Sequence, residues 1–109
     1  MPTTYKVLGQ VKPSAATLTS LYTVPASTSA VISTIVVCNT TSSNEEVRIA
    51  VRPAGEAIND KHFIAHTIGL PPFANYTYTL GLTLATTDVI SVYGLGGFAS
   101  FSVFGTEIS

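Results

Sequence analysis

Short apolar runs recur about every ten residues along the chain, and turns rich in Pro, Gly, Ser or Asn separate them. Within most runs apolar and polar residues alternate with a period of two, and β-branched residues are frequent. This pattern predicts antiparallel β-strands. We therefore expect an all-β protein, a two-sheet antiparallel β-sandwich of the jelly-roll or Greek-key kind. The eight predicted strands cover residues 5–11, 17–24, 29–39, 47–52, 61–68, 75–80, 88–93 and 99–104.

The third predicted strand, residues 29–39, is apolar on both of its faces. Such a strand is typical of the centre of a sheet that is covered on both sides. Cys38, the single cysteine, is then expected to be a small buried hydrophobe. The two predicted faces are Ala30, Ile32, Val36 and Cys38 on one side, and Val31, Ile35 and Val37 on the other.

The fourth predicted strand has one core face and one solvent face. Val47, Ile49 and Val51 are predicted to point inward, whereas Arg48 and Arg52 point into solvent.

The glycine-rich segment 94–97 lies between the last two predicted strands. A hairpin turn is the expected structure there.

Length and composition limit the organisation of the chain. With 109 residues and 11.4 kDa, we expect one domain over residues 1–109. Charged residues make up only 10% and hydrophobic residues 46%, which indicates an ordered domain. The net charge of -1 gives no basic footprint, so no nucleic-acid partner is expected. No apolar stretch or leader pattern predicts a membrane or secretory segment.

The chemistry-bearing residues do not form a known catalytic motif. His62 and His66 would stand about 13 Å apart on a strand, too far to share a metal ion. Segment 94–97 leads into a strand, so it lacks the helix N-terminus of a phosphate-binding loop. Asn39 and Asn75 begin glycosylation sequons, which are expected by chance in a Thr-rich chain. We expect no enzymatic activity, no cofactor and no metal.

Aromatic residues are the remaining candidates for a functional surface, because tyrosine combines apolar area with a polar tip. Core packing explains most of them equally well, so one or two are expected at a protein or carbohydrate contact. The five candidates are Tyr22, Tyr76, Tyr78, Tyr93 and Phe98.

Eight segments spread over nearly the whole chain carry a resemblance to a known group of proteins. They are residues 5–10, 21–25, 30–35 with 37–39, 48–55, 61–62, 80–84, 87–90 with 92–93, and 104–107. Together they resemble small all-β virion structural proteins of tailed bacteriophages. The matching motifs are structural, and no catalytic residue comes with them.

The resemblance implies a location on the virion and no enzymatic role. The leading hypothesis is a capsid cement or decoration protein that binds the major capsid protein as a homo-oligomer, a trimer by analogy. An alternative places it in the tail, neck or fibre as an adaptor, and a further alternative is a host-glycan-binding module. Composition agrees with assembly, because neutral Ser and Thr allow copies of the chain to approach with little electrostatic repulsion.

Overall fold

The computed structural model describes residues 3–109, apart from the side chain of Leu80. The described residues form eight strands and two short 3-10 turns, Pro53–Gly55 and Asp60–His62. All eight predicted strands are therefore present, and the bounds of the third are as predicted. The strands are β1 (Thr3–Val11), β2 (Thr19–Thr23), β3 (Ser29–Asn39), β4 (Glu45–Arg52), β5 (Phe63–Leu70), β6 (Asn75–Leu84), β7 (Val89–Gly94) and β8 (Ala99–Ile108).

The strands form two four-stranded antiparallel sheets, with the orders β1-β8-β3-β6 and β2-β7-β4-β5. Only β4 and β5 follow each other in the chain and also pair with each other; the other connections cross from one sheet to the other. This strand order is that of an eight-stranded jelly roll, a form of β-sandwich. The predicted hairpin at residues 94–97 is wrong, because β7 and β8 belong to different sheets.

The core lies between the sheets and consists of the inward-facing residues of both. The register of the paired strands determines which residues face this core, because residues opposite each other on paired strands point to the same side of a sheet. In the first sheet Ile35 pairs with Val103, and in the second Ile49 pairs with Val92, and all four are fully buried. The largest fully buried side chains are Phe101, Ile32, Ile35, Ile49, Leu70, Ile90, Val24, Val37, Val47, Val92, Val103 and Asn39.

A β-bulge between Ile32 and Thr34 corrects the predicted faces of β3. The extra residue reverses the alternation, so Ile35 and Val37 point inward. Val36 and Cys38 then point outward, although they were predicted on the same side as Ile32. The strand is central, as expected, but its outer side is not covered, and Cys38 is half-buried on that side.

The connections between the strands gather at the two ends of the sandwich. One end, here called the loop end, contains the connections 12–18, 40–44, 71–74 and 95–98. The opposite end contains the connections 24–28, 53–62 and 85–88. Within residues 3–109 no helix is long and apolar enough to cross a membrane.

Candidate functional site

Backbone hydrogen bonds tie the connections of the loop end to one another. The amide of Phe73 donates to the carbonyl of Thr41 at 3.1 Å, and that of Thr40 donates to Phe98 at 3.2 Å. The amide of Ala16 donates to the carbonyl of Gly94 at 2.9 Å. Four connections that are distant in sequence therefore form one surface.

The buried side chain of Asn39 fixes two of these connections. Its Nδ2 lies within hydrogen-bond distance of the carbonyl oxygens of Ser43 (2.6 Å), Leu70 (3.2 Å) and Pro71 (3.1 Å). Its Oδ1 accepts hydrogen bonds from the amide (3.0 Å) and hydroxyl (2.9 Å) of Thr41. Because Asn39 is fully buried and its amide is engaged, it is a structural residue and not an accessible glycosylation acceptor.

The buried carboxylate of Glu45 fixes the glycine-rich connection in a similar way. Its Oε1 accepts from the backbone amides of Glu46 and Gly96, and its Oε2 accepts from Phe98, each at 2.8 Å. Bonds from amides to a carboxylate are among the stronger hydrogen bonds in proteins. This carboxylate therefore holds residues 95–98 against the start of β4.

Two large apolar side chains project from this well-fixed end. Phe73 is 69% exposed and Leu95 is 50% exposed. Phe73 follows Pro71 and Pro72, and the amide of Ala74 closes a turn onto the carbonyl of Pro71 at 3.1 Å. The φ of Phe73 is 56°, the left-handed region that turns normally fill with glycine or asparagine. The turn thus presents a phenylalanine to solvent at a position where that residue type is strained.

A second apolar surface covers the outer side of the β1-β8-β3-β6 sheet. Tyr5 on the edge strand is 81% exposed, and Val31 on the central strand is 39% exposed. None of the strand residues that pairing places on this side is Asp, Glu, Lys or Arg. We call it the uncharged face: its apolar members are Tyr5, Val7, Val31, Val36, Cys38 and Phe104, and its hydroxyl members include Thr34, Thr77, Thr79, Ser100, Ser102 and Thr106.

The outer side of the other sheet has the opposite character. The guanidinium of Arg48 lies over the ring of Tyr93, 4.6 Å from its centroid, and 3.6 Å from a carboxylate oxygen of Glu46. Arg52 donates to the carbonyls of Gly55 and Glu56 and so holds the following turn against the sheet. The sandwich therefore has one charged side and one side without charge.

A shallow cleft of about 380 Å³ lies beside β5 and is lined by Asp60, Phe63 and His66. His66 packs edge-on against Phe63, and its Nδ1 lies 2.7 Å from the hydroxyl of Thr67. In the described part of the chain, no group of three His, Cys, Asp or Glu side chains is placed to hold a metal ion. The cleft brings together one carboxylate and one imidazole, without a nucleophile between them.

His62 is not on a strand, contrary to the prediction, because it ends the 3-10 turn before β5. It is buried, and its Nδ1 accepts the backbone amide of Asn59 at 3.0 Å. Its Nε2 therefore carries the proton and lies 3.1 Å from Oε1 of Glu56. His62 thus fastens the connection between β4 and β5 and is unavailable as a ligand.

The five aromatic candidates from the sequence do not meet on one surface. Tyr22 is buried, and Tyr78 packs partly against the core. Tyr93 lies under Arg48 on the charged side, whereas Phe98 is half-buried at the loop end. Tyr76 is exposed at the edge strand β6. A contact role for the more exposed of these rings stays a prediction.

Among the side chains that the structure describes, sequence reasoning missed the three most exposed large apolar ones, Tyr5, Phe73 and Leu95. For Phe73 a signal was present, because two prolines before a large residue predict a tight turn. For Tyr5 there was none, since its strand alternates like the others and nothing local identifies its outer side as uncovered.

Tyr22 takes part in a polar cluster at the edge of the sandwich. Its hydroxyl donates to Oε2 of Glu107 at 2.6 Å, and Nζ of Lys6 lies 2.9 Å from Oε1. The hydrogen bond from Tyr22, and then the interaction with Lys6, hold the pKa of Glu107 below its ordinary value of 4.5. Burial, followed by the hydrogen bond to Glu107, raises the pKa of Tyr22.

This cluster predicts an acid-sensitive contribution to stability. A lowered folded-state pKa stabilises the fold above the unfolded-state value of 4.5, and the contribution is lost as pH falls through the folded-state value. The wild type is therefore expected to lose its advantage over Glu107→Gln as pH falls below about 4.5. Urea unfolding of both proteins over a pH series measures this difference. Tyr22→Phe, which removes the hydrogen bond to Glu107, is expected to reduce this difference in unfolding free energy. A difference between wild type and Glu107→Gln that did not change with pH would contradict the prediction.

No protein-family model matches the chain, and no curated protein matches it. The geometry therefore defines the protein as an all-β jelly roll. Its loop end exposes apolar side chains, and one of its two outer sides is the uncharged face.

Proposed function

We propose that the protein is a non-enzymatic structural protein of a virus particle, which binds the major capsid protein and reinforces the head shell. The jelly roll supports this proposal at the level of architecture, because viral capsid domains are among the proteins that use it. The same fold also serves lectins and cupins, so the surfaces of the molecule support this role more specifically than the fold does.

The exposed Phe73 is the observation that carries the proposal. An aromatic ring with most of its surface in water is typical of an anchor that fills a pocket on a partner. Its backbone conformation disfavours a bulky residue, and the surrounding connections are fixed by Asn39 and Glu45. Because the loop end is rigid and already holds the ring of Phe73 in place, it loses little conformational entropy on binding.

A repeated lattice makes such a small contact sufficient. One ring and its neighbours provide modest affinity for a single capsid subunit. Copies linked to one another would bind several subunits of the shell at once, and the second contact is then intramolecular. Attachment can therefore be durable without a large interface at each site.

The location of the protein in its particle tests the proposal. If the protein is a cement protein of the head, we expect many copies on the shell. If it is a tail, neck or fibre adaptor, we expect few copies at one vertex. A reconstruction of the particle distinguishes these arrangements by copy number. Particles without the protein are also expected to release their genome at lower temperature; unchanged genome retention, or absence of the protein from purified particles, would overturn the proposal.

Substitution of Phe73 is expected to separate binding from stability. Phe73→Gly removes the exposed ring and allows the positive φ, so the free energy of unfolding is expected to stay constant or rise by up to about 1 kcal/mol. Binding to shells that lack the protein is expected to fall by about tenfold or more, since a central anchor contributes roughly 2 kcal/mol. Co-sedimentation with such shells and urea unfolding measure the two effects.

Thr87→Gly is the matched control. Thr87 also has a positive φ of 71° and is exposed, but it lies at the end opposite to Phe73. Its substitution is expected to leave shell binding unchanged. Equal binding by Phe73→Gly and the wild type would show that the loop end is not the contact.

A further inference from the structure

The uncharged face stands out because no strand residue paired on it carries a charge; Lys12, the nearest lysine in the chain, follows β1 in the connection 12–18. The charged side holds Arg48, Arg52 and Glu46, and Glu56 and Lys61 lie on the connection beside it. Lys6 and Glu107 belong to strands of the uncharged sheet, but they pair with each other on its inner side. The outer side of that sheet is left with apolar and neutral polar groups.

We propose that the uncharged face is the surface on which two copies of this chain pack against each other about a two-fold axis. In such a pair the same patch serves both partners, so residues near the axis meet their own counterparts. A charged patch would bring like charges together there, at a cost of several kcal/mol. A face without Asp, Glu, Lys or Arg avoids this cost.

The polar residues of the face are suited to the same arrangement. Thr34, Thr77, Thr79 and Ser102 carry hydroxyls, which both donate and accept hydrogen bonds. A hydroxyl can therefore pair with an identical hydroxyl, whereas an ammonium group or a carboxylate cannot. The hydroxyl groups that lie among the apolar residues of the face are thus self-complementary.

The apolar part of the face supplies the driving force. Val7 pairs with Phe104 and Phe104 with Thr34, and Val31 lies on the same side of the neighbouring strand. Tyr5 extends this apolar centre to the edge strand, where it is the most exposed of the large hydrophobic residues described. Contiguous exposed apolar groups of this kind mark interaction sites.

The size of the face agrees with a stable pair. The dimensions of the molecule are 45, 27 and 19 Å. Two packed sheets are only about 10 Å apart, so we take the shortest dimension as the thickness of the sandwich. A standard interface buries about 800 Å² on each partner, which fits within a face of those dimensions. The two-fold pair differs from the trimer that the resemblance implies, and it does not depend on a role in the virion.

Molar mass in solution tests the pair. The wild type is expected to have twice the mass of the 11.4 kDa chain by light scattering and sedimentation equilibrium. Val31→Glu places a carboxylate on each partner inside the contact, and the dissociation constant is expected to rise about 100-fold or more. The matched control is Ile64→Glu, because Ile64 is 44% exposed on β5 of the other sheet and Val31 is 39% exposed. This control is expected to keep the mass of the wild type.

The thiol of Cys38 gives a second measurement that needs no variant. It is half-buried on the uncharged face, so a pair should protect it from iodoacetamide. Alkylation of the wild type is expected to accelerate about tenfold on dilution below the dissociation constant. A monomeric wild type, a trimer, a pair that persists in Val31→Glu, or alkylation independent of concentration would each overturn the proposal. A monomeric wild type would also remove the linked copies on which multivalent attachment depends, but the contact of a single Phe73 with a capsid subunit keeps its own test in Phe73→Gly.

Discussion

Asn39→Ala is expected to lower the free energy of unfolding by about 3 kcal/mol, which is a large part of the 5 to 15 kcal/mol typical of a domain. The substitution removes an amide that contacts three carbonyl oxygens and a carbonyl that accepts two hydrogen bonds. Alanine leaves these partners without the side chain that satisfies them at a buried site. The midpoint of thermal unfolding is expected to fall by roughly 10 to 20 °C.

Asn39→Asp is a sharper version of the same test, because it preserves size. An aspartate carboxylate would replace the donor Nδ2 with an acceptor that faces the carbonyls of Ser43, Leu70 and Pro71. The loss of stability is expected to equal or exceed that of the alanine variant. Asn75→Ala is the control, since Asn75 begins the other sequon and is exposed on β6; a change within about 0.5 kcal/mol is expected.

Urea unfolding at one fixed protein concentration measures these differences, because self-association makes stability depend on concentration. If Asn39→Ala and Asn75→Ala were equally stable, the hydrogen bonds of Asn39 would contribute nothing to the connection between the loops.

The strands could be predicted from sequence because their signal is local. The run Ser29–Asn39 is long, β-branched and bounded by polar turns, and its predicted bounds match the structure. In β4, Val47 and Ile49 are fully buried, as their alternation indicated. Ala50 is also fully buried, contrary to that alternation, because Arg52 and the turn it holds lie over the outer side of the sheet.

The faces of β3 could not be predicted, because a bulge depends on the partner strands. Its register shifts between Ile32 and Thr34 against both β6 and β8, and nothing in the order of residues marks Ser33 as the extra one. A single such residue exchanges the buried and exposed sides of half a strand. The uncharged face exists only after that exchange, since it places Val36 and Cys38 outside.

The candidate site also could not be predicted from local sequence patterns. Sequence reasoning looked for aromatic stripes and selected Tyr22 and Tyr78, which the sandwich turns toward its core. The loop end depends on four connections that approach one another only after the sheets form. Its fixing residues, Asn39 and Glu45, resemble ordinary turn and surface residues in the sequence, and their burial follows from strand order.

Gly105→Ala is expected to have an effect as large as that of Asn39→Ala, for a steric reason. A Cβ on Gly105 would overlap the carbonyl oxygen of Val31 and lie 3.1 Å from the Cα of Ile32. Both neighbours are backbone atoms of β3 beside its bulge, so neither can rotate away. The two strands would have to separate, which is expected to cost about 3 kcal/mol or more in unfolding free energy.

Gly69→Ala is the control that isolates this effect. Gly69 also lies in a strand, but a Cβ there would meet no atom within 4 Å and its φ is not positive. Its substitution is expected to leave stability unchanged or to raise it by about 0.5 kcal/mol, because alanine restricts the unfolded chain. Urea unfolding compares the two variants. A small effect of Gly105→Ala would mean that β3 and β8 are not as close at the bulge as described, and the position of Val31 on the uncharged face would then be wrong as well.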